Sequence, residues 1–263
     1  MNIALVGYGQ MGHMIHACAE KAGHKVVLTA DVMAPDASFI ISSEDSALAK
    51  KSLTEAIKNS GAEGIIEFSH PSAVVNNIVT LLPLKLPMVV GTTGWKDKET
   101  EVASYAASCG GTLMRSANFS VGVNMFYRIV EEAVKLMDEY AQYDVSTWEA
   151  HHVKKADSPS GTALEIARRI IANSSRKTDI VVDAFHEKPQ PHQLHVSSTR
   201  VGSVPGTHKV FFDSAADTIE LTHTARSREG FAQGAVEALS RLKKALDTGA
   251  LKPGALYGME DLF

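Results

Sequence analysis

Only two cysteines, Cys18 and Cys109, occur in 263 residues, too few for a disulfide framework or a thiolate metal cluster, so a reducing, cytoplasmic setting is expected. Positive charge is not in excess either. Against 26 Lys and Arg stand 30 Asp and Glu, a formal net charge of −4, which leaves a DNA or RNA binder without its electrostatic footprint. The longest apolar stretches, such as residues 78–82, fall far short of the ~20 residues of a membrane span. The N-terminus shows no basic flank followed by an apolar signal core, so neither a membrane partner nor export is expected. What is present is ordinary globular material: 44% hydrophobic and 21% charged residues, enough for one or two cores at roughly 150 residues per domain. There is no internal repeat and no low-complexity segment.

The first third alternates strand-like and helix-like pattern. An apolar run over residues 2–6 stops at Gly7-Tyr8-Gly9-Gln10-Met11-Gly12, after which Met14, Ile15, Cys18 and Ala19 recur at helical spacing. A second strand over residues 25–30 ends at Asp31, at the length a parallel crossover requires. Further strands are predicted over 64–68, 87–90 and 112–115, and helices over 53–59, from Ser69-His70-Pro71-Ser72 onward, and over 98–108. This grammar predicts an α/β fold, a Rossmann-type doubly wound parallel sheet with ligands at the carboxyl ends of its strands. After a long helix over 124–140 the pattern becomes period-two, with Val145 and Thr147, Ile180 and Val182, Leu194 and Val196, Val210 and Phe212, and Ile219 and Leu221. Antiparallel strands of a second α+β unit are expected, with one strong helix opening near Ser160-Gly161-Thr162. A last amphipathic helix carries Phe231, Val236, Leu239, Leu242 and Leu246 and is expected to return to the first sheet. The expected division is 1–121 with 230–263, and 122–229.

Gly7, Gly9 and Gly12 satisfy the dinucleotide fingerprint: a tight turn, close approach of backbone to diphosphate, and close packing of helix on strand. Asp31 stands about 20 residues on, where an acid chelates ribose hydroxyls. Its charge opposes a 2′-phosphate, and Val32 and Met33 offer no guanidinium to compensate, so NADH is expected over NADPH. The loops Gly91-Thr92-Thr93-Gly94 and Ser116-Ala117-Asn118-Phe119 follow predicted strands and point toward the nicotinamide end of such a cofactor.

The densest chemistry lies in Glu149-Ala150-His151-His152-Val153-Lys154-Lys155-Ala156-Asp157-Ser158-Pro159-Ser160-Gly161-Thr162-Ala163. Amides near Gly161 and Thr162 bind a carboxylate, Lys155 neutralises it, and a histidine donates or relays a proton near neutral pH. That is equipment for a small anionic substrate. Blander readings stand beside it: Thr162 and Glu165 have capping-box spacing, adjacent histidines occur on surfaces, and lysine pairs form solvated faces. Arg200 and Arg226 are further cations for the pocket or for salt bridges. No third ligand stands at a metal-diagnostic spacing from the histidines, so no metal is expected.

The block E-A-H-H-x-x-K-x-D-x-P-S-G-T-A over residues 149–163 closely resembles the signature of the dihydrodipicolinate (4-hydroxy-tetrahydrodipicolinate) reductases of lysine and diaminopimelate biosynthesis. Val90-Gly91-Thr92-Thr93-Gly94, Asn118-Phe119-Ser120-Val121-Gly122-Val123-Asn124, and Arg200-Val201-Gly202 followed by Gly206-Thr207-His208 resemble that family's other blocks, in its order. The resemblance implies a Rossmann domain completed by the C-terminal helix, a substrate domain, a homotetramer and a dicarboxylate substrate. It implies His151 as general acid, Lys155 as second active-site residue, and His152, Lys155, Ser160, Gly161 and Thr162 as substrate contacts. It also implies cofactor contacts at Gly7, Tyr8, Gly9, Gln10, Met11, Gly12, Asp31, Phe68, Gly91, Thr92, Thr93, Ser116, Ala117, Asn118 and Phe119. The chain departs from many members in its shorter glycine turn and in Val32, which favours NADH, with NADPH as the alternative. A nucleotide-sensing regulatory protein and an aspartate dehydrogenase are the competing readings, and neither needs the 149–163 block.

Overall fold

A parallel strand covered by helices on both faces is apolar without alternation, and β1 (Asn2–Val6) follows this rule, with Ile3, Ala4 and Val6 fully buried. The computed structural model describes residues 1–42, 47–182 and 184–262. The chain divides into two compact units, Met1–Val121 with Glu229–Phe263, and Gly122–Arg228.

In the first unit β1 pairs in parallel with β2 (Lys25–Asp31) on one side and β4 (Gly64–Glu67) on the other. The sheet continues through β3 (Phe39–Ile40) at one end, and through β5 (Met88–Val90), β6 (Leu113–Arg115) and β12 (Leu256–Tyr257) at the other, in the order β12-β6-β5-β4-β1-β2-β3. The chain thus moves outward from β1 in both directions, and the β1/β4 junction is the switch point at which such sheets bind ligands. Helix α1 (Gln10–Lys21) and the last helix α7 (Glu229–Asp247) cover one face, burying Ile15, Leu239 and Leu242 with Ile3, Leu5, Val89 and Met114. Each such Leu or Ile contributes about 1.5–3 kcal/mol by leaving water. Helices α2 (Ala47–Ser60), α3 (Val74–Leu81) and α4 (Glu99–Cys109) cover the other face, around Ile57, Ile65, Ile78 and Val90.

Helix α3 begins at Val74 and not at Pro71. Residues 71–73 form a turn in which Ala73 and Val74 donate to the His70 carbonyl and the Ser72 hydroxyl bonds the His70 ring. Helix α2 starts six residues earlier than its pattern foretold, because its first turns expose Leu48 and present no apolar stripe. The two-residue strands β3 and β12 are too short to leave a periodic signal.

The second unit holds α5 (Val121–Asp138), β7 (Asp144–His151), α6 (Gly161–Asn173), β8 (Asp179–Val181), β9 (Gln193–Arg200), β10 (Thr207–Asp213) and β11 (Thr218–Thr224). Its sheet has the order β11-β10-β7-β9-β8. The expected all-antiparallel sheet is corrected to a mixed one: β10 is antiparallel to β7 and β11, whereas β9 is parallel to both β7 and β8. The cause is α6, which carries the chain from the end of β7 back across the sheet as a crossover helix. Phe126, Val130, Ile166 and Ile170 from α5 and α6 pack on Val145, Val196, Val210 and Phe212 from the sheet. By the two-residue period, Thr147, Glu149 and His151 share this face with Val145, so the apolar face of β7 ends in two buried ionisable groups.

Candidate active site

In the first unit, Gly7–Gly12, Asp31, Phe68, Gly91–Thr93 and Ser116–Phe119 all follow or end strands β1, β2, β4, β5 and β6, and parallel strands bring these ends to one edge. Gly7 adopts φ +94° and closes on the β4 exit so tightly that a β-carbon would stand 2.1 Å from the Phe68 carbonyl oxygen. Its N–H donates to the Ala30 carbonyl at 2.8 Å. Gly9 caps α1 without a side-chain hydrogen bond, and a β-carbon there would meet no atom within 4 Å. The space beside the start of α1 is therefore open at Gly9, as close approach of a diphosphate to a helix N-terminus needs. The Phe68 and Phe119 rings lie 5.9 Å apart.

Asp31 is more than a solvated strand-end acid. Its Oδ2 accepts from the Tyr8 N–H at 2.6 Å and its Oδ1 from Met33 and Ala34 at 2.8 and 3.0 Å. Partial burial pushes its carboxyl up, but these amide donors outweigh the effect and hold it below the ordinary carboxylate value. The ionised group thus clamps the glycine turn to the end of β2. Glu67, which the sequence reading did not single out, is fully buried at the end of β4 and accepts from Ser69 and, at 3.1 Å, from Asn77. Its signal was a lone acid in the apolar run Gly64-Ile65-Ile66-Glu67-Phe68.

In the second unit His151 ends β7, a loop carries His152, Lys155 and Asp157, and Ser160 caps α6 by accepting from the Ala163 N–H at 3.1 Å. Ser160, not Thr162, is therefore the cap, and Glu165 pairs with Arg169 at 2.8 Å instead of closing a capping box. Gly161 lies exposed in the first turn of α6; the side chain of Thr162 bonds Tyr127, whose pKa burial pushes up to about 12. Lys155 Nζ lies 2.8 Å from Asp157 Oδ1. His152 is half-buried, and its carbonyl accepts from the Lys155 N–H at 3.1 Å.

The centre of the cluster is Glu149. Its Oε1 accepts from the Ser160 N–H, the Ser198 hydroxyl and Arg200 Nη2, each at 2.9 Å. Its Oε2 lies 3.1 Å from His151 Nδ1 and 3.9 Å from His208 Nδ1. Strand pairing accounts for the convergence, since Glu149 is opposite Ser198 on β9 and His208 on β10, and His151 is opposite Arg200. Of the two extra cations, Arg200 belongs to this cluster, whereas Arg226 is exposed beyond the end of β11. Gly206, at φ +153°, faces the other edge of the ring: a β-carbon there would lie 2.9 Å from His151 Nε2. Glu149, Ser198, Gly206 and His208 were given no role by sequence reasoning: only tertiary structure brings the last three to His151, and Glu149, two residues before it on β7, shows its place only once they surround it.

Burial pushes the Glu149 carboxyl up, yet the donors Ser160, Arg200 and Ser198 hold it below the usual value. Burial lowers His151, opposed by the charge of Glu149 and reinforced by Lys155 and Arg200. Burial lowers His208 to about 4, so it is neutral at pH 7. A histidine with a lowered folded pKa stabilises the fold fully above the unfolded value of about 6.5 and loses that contribution as pH falls toward the folded value. For His208 the loss approaches about 3 kcal/mol between pH 6.5 and 4. Urea unfolding at pH 7.5 and 4.5 is expected to show a smaller acid destabilisation in His208→Gln than in the parent protein; equal losses would assign the effect to other groups.

Oxygen and nitrogen atoms of Glu149, His151 and His208 lie within 4.8 Å of one another, a spacing that also suits a cation. Arg200 on Glu149, and the charges of Arg200 and Lys155 acting on His151, already supply positive charge there and oppose a divalent ion.

A glycine turn at the switch point of one unit, and on the other a buried histidine facing a carboxylate beside a lysine and a helix start, are those of a Rossmann-type oxidoreductase. Residues 1–119 match the family described as dihydrodipicolinate reductase, N-terminus, and residues 122–263 match dihydrodipicolinate reductase, C-terminus. The chain belongs to the dihydrodipicolinate reductase family. Its curated relatives include a 4-hydroxy-tetrahydrodipicolinate reductase of Christiangramia forsetii, 36% identical over 92% of both chains, and one of Staphylococcus aureus, 34% identical over 100% of both. Among solved structures it resembles a dipicolinate-bound dihydrodipicolinate reductase from a Paenisporosarcina species, with TM-score 0.75, 19% identity, and coverage of 100% of this chain and 99% of that one. A probable dehydrogenase from Thermotoga maritima shares the fold at TM-score 0.56 and 12% identity, over 99% of this chain and 92% of the other.

Proposed function

We propose that the protein reduces 4-hydroxy-tetrahydrodipicolinate to tetrahydrodipicolinate in diaminopimelate and lysine biosynthesis, in the cytoplasm. The observation that carries this reading is the joining of His151, Arg200 and the start of α6 into one cluster around buried Glu149, with the charge of Lys155 acting on His151. A reduced pyridine nucleotide, when bound by the Gly7–Gly12 turn, Asp31 and the loops at Phe68, Gly91–Thr93 and Ser116–Phe119, supplies the hydride. The protein supplies position and charge. The substrate loses water and takes up one hydride and one proton, so each turnover consumes a proton. His151 delivers that proton. Lys155 holds a carboxylate and steadies the negative charge that builds as the ring is reduced. Ser160, Gly161 and Thr162 receive a carboxylate at the start of α6, and His152 is a binding contact. Following nicotinamide absorbance while the upstream condensation product is supplied tests the assignment directly; no turnover with either nucleotide would remove it.

Lys155→Ala is expected to raise KM and lower kcat together, because the ammonium acts on both bound substrate and transition state. Steady-state kinetics that match the parent protein would take Lys155 out of the site. NADH is the preferred cofactor in this reading: ionised Asp31, held by three amides, leaves no place for a 2′-phosphate beside Val32 and Met33. A higher kcat/KM with NADPH than with NADH would overturn this. We also propose a homotetramer formed through the second sheet, whose outer face carries Trp148 and Phe211 in alternation with the buried Thr147, Val210 and Phe212. Light scattering is expected to give a mass near four times 28.2 kDa.

A further inference from the structure

Glu149 is fully buried, and its two oxygens are used differently. Oε1 is saturated by Ser160, Ser198 and Arg200. Oε2 completes no hydrogen bond, and neither do the two nitrogens that face it, His151 Nδ1 and His208 Nδ1, although all three atoms are buried. A buried acceptor standing 3.1 Å from a buried ring nitrogen, with neither atom otherwise bonded, is within hydrogen-bond reach of it. Catalytic hydrogen bonds are commonly this loose before ligands arrive.

The charge around the pair fixes which way it closes. Oε1 takes three donors, one of them a guanidinium, so the carboxylate stays ionised and Oε2 has acceptor capacity only. A neutral His151 therefore meets it with Nδ1–H, never with a lone pair. Nε2 is left on the side of the ring that faces Gly206, where a β-carbon would stand 2.9 Å from it. The groups acting on His151 are Glu149 from its own strand, Arg200 from β9, and Lys155 and Asp157 from the following loop; His208 from β10 packs edge-on at 5.2 Å, and His223 from β11 acts on His208. Glu149 and Asp157 are the negative groups among them, and Asp157 is already paired with Lys155.

We infer that Glu149 is the positioning residue of the proton donor: its Oε2 holds His151 as the Nδ1–H tautomer, so that Nε2 carries the proton given to the substrate. The inference rests on the general-acid role proposed for His151. In the doubly protonated ring, Nδ1–H faces Glu149 and the Nε2–H bond breaks as its proton passes to the substrate. The ring electrons return to Nε2, the neutral Nδ1–H imidazole remains, and solvent restores the Nε2 proton. Glu149 stays ionised and keeps its partners throughout. His208, neutral and packed edge-on against His151, has its Nδ1 3.9 Å from the same oxygen.

Nitrogen-15 NMR of histidine-labelled protein reads this without turnover, with the His151 resonance assigned from its loss in His151→Gln. The parent protein is expected to show the Nδ1–H tautomer at His151. In Glu149→Gln the tautomer preference is expected to disappear and the titration midpoint of His151 to fall by about one pH unit or more, as loss of a close opposite charge requires. The same variant is expected to lower kcat about 10- to 100-fold with KM for the nucleotide unchanged, and to move the alkaline limb of the rate profile down with the midpoint. Glu149→Asp, which keeps the charge, is expected to restore part of the midpoint. An unchanged tautomer and midpoint in Glu149→Gln overturns the inference whatever the rate. If that variant does not fold, a neutral Nε2–H tautomer in the parent protein overturns it, and the Nδ1–H tautomer there supports it. An active His151→Gln, by contrast, removes the proposed acid and leaves the tautomer measurement intact, so the two failures are distinct.

Discussion

His151→Gln is expected to lower kcat about 10²- to 10⁴-fold, the usual contribution of a positioned general acid, while nucleotide affinity measured by fluorescence titration stays within about twofold of the parent. Glutamine keeps a hydrogen-bonding side chain of similar reach but has no proton to give at neutral pH. Nucleotide binding is spared because the glycine turn, Asp31 and the strand-end loops belong to the first unit and His151 to the second. The pH profile carries the same assignment. Only the protonated ring donates, so the rate falls as pH rises through its pKa. Burial places that pKa below 6.5 in the free protein, so the alkaline limb of kcat/KM is expected below pH 6.5. Two substrate carboxylates favour the charged ring, so the limb of kcat is expected at higher pH. A near-normal kcat in His151→Gln would end the assignment.

Gly7→Ala is the second large effect. A β-carbon would stand 2.1 Å from the Phe68 carbonyl oxygen and 2.6 Å from the Ser69 nitrogen, and the φ of +94° is strained for any L side chain. Both obstacles are backbone, so neither moves cheaply. The left-handed conformation and the overpacking together are expected to cost about 3 kcal/mol, read as a fall of about 5–10 °C in the Tm of the first unit and at least about a tenfold loss of nucleotide affinity. Gly9→Ala is the matching control. No atom lies within 4 Å of its added β-carbon, so Tm is expected to change little, while the methyl group occupies the space that a diphosphate would take and weakens binding. If Gly9→Ala binds nucleotide as the parent does, the cradle lies elsewhere.

Much of this was legible without coordinates, and the reason differs by region. The turn Gly7-Tyr8-Gly9-Gln10-Met11-Gly12 is a local object: strand, glycines and helix lie within about twenty residues, and their chemistry is set by backbone shape. The loop from His151 to Thr162 is equally local, so its lysine, histidines and helix start could be read together. The mixed second sheet was not legible, because period-two alternation shows that a strand is half-buried and says nothing of its neighbour's direction. The role of Glu149 was hidden for the same cause. In the sequence it is one acid beside a histidine; its partners Ser198, Arg200 and His208 lie 49, 51 and 59 residues away.

By itself the chain's order of residues determined the parts that depend on neighbours along the backbone: the glycine turn, the acid at the end of β2, and the start of α6. Tertiary structure alone decided which way those parts are poised. Strand register set Glu149 between Ser198 and His208, and the donors Ser160, Ser198 and Arg200 gathered there keep it a negative charge against His151 although it is buried. Hydrogen bonds between strands reach across any sequence distance, and desolvation exists only once the sheet has closed over the group, so neither leaves a mark in a linear sequence.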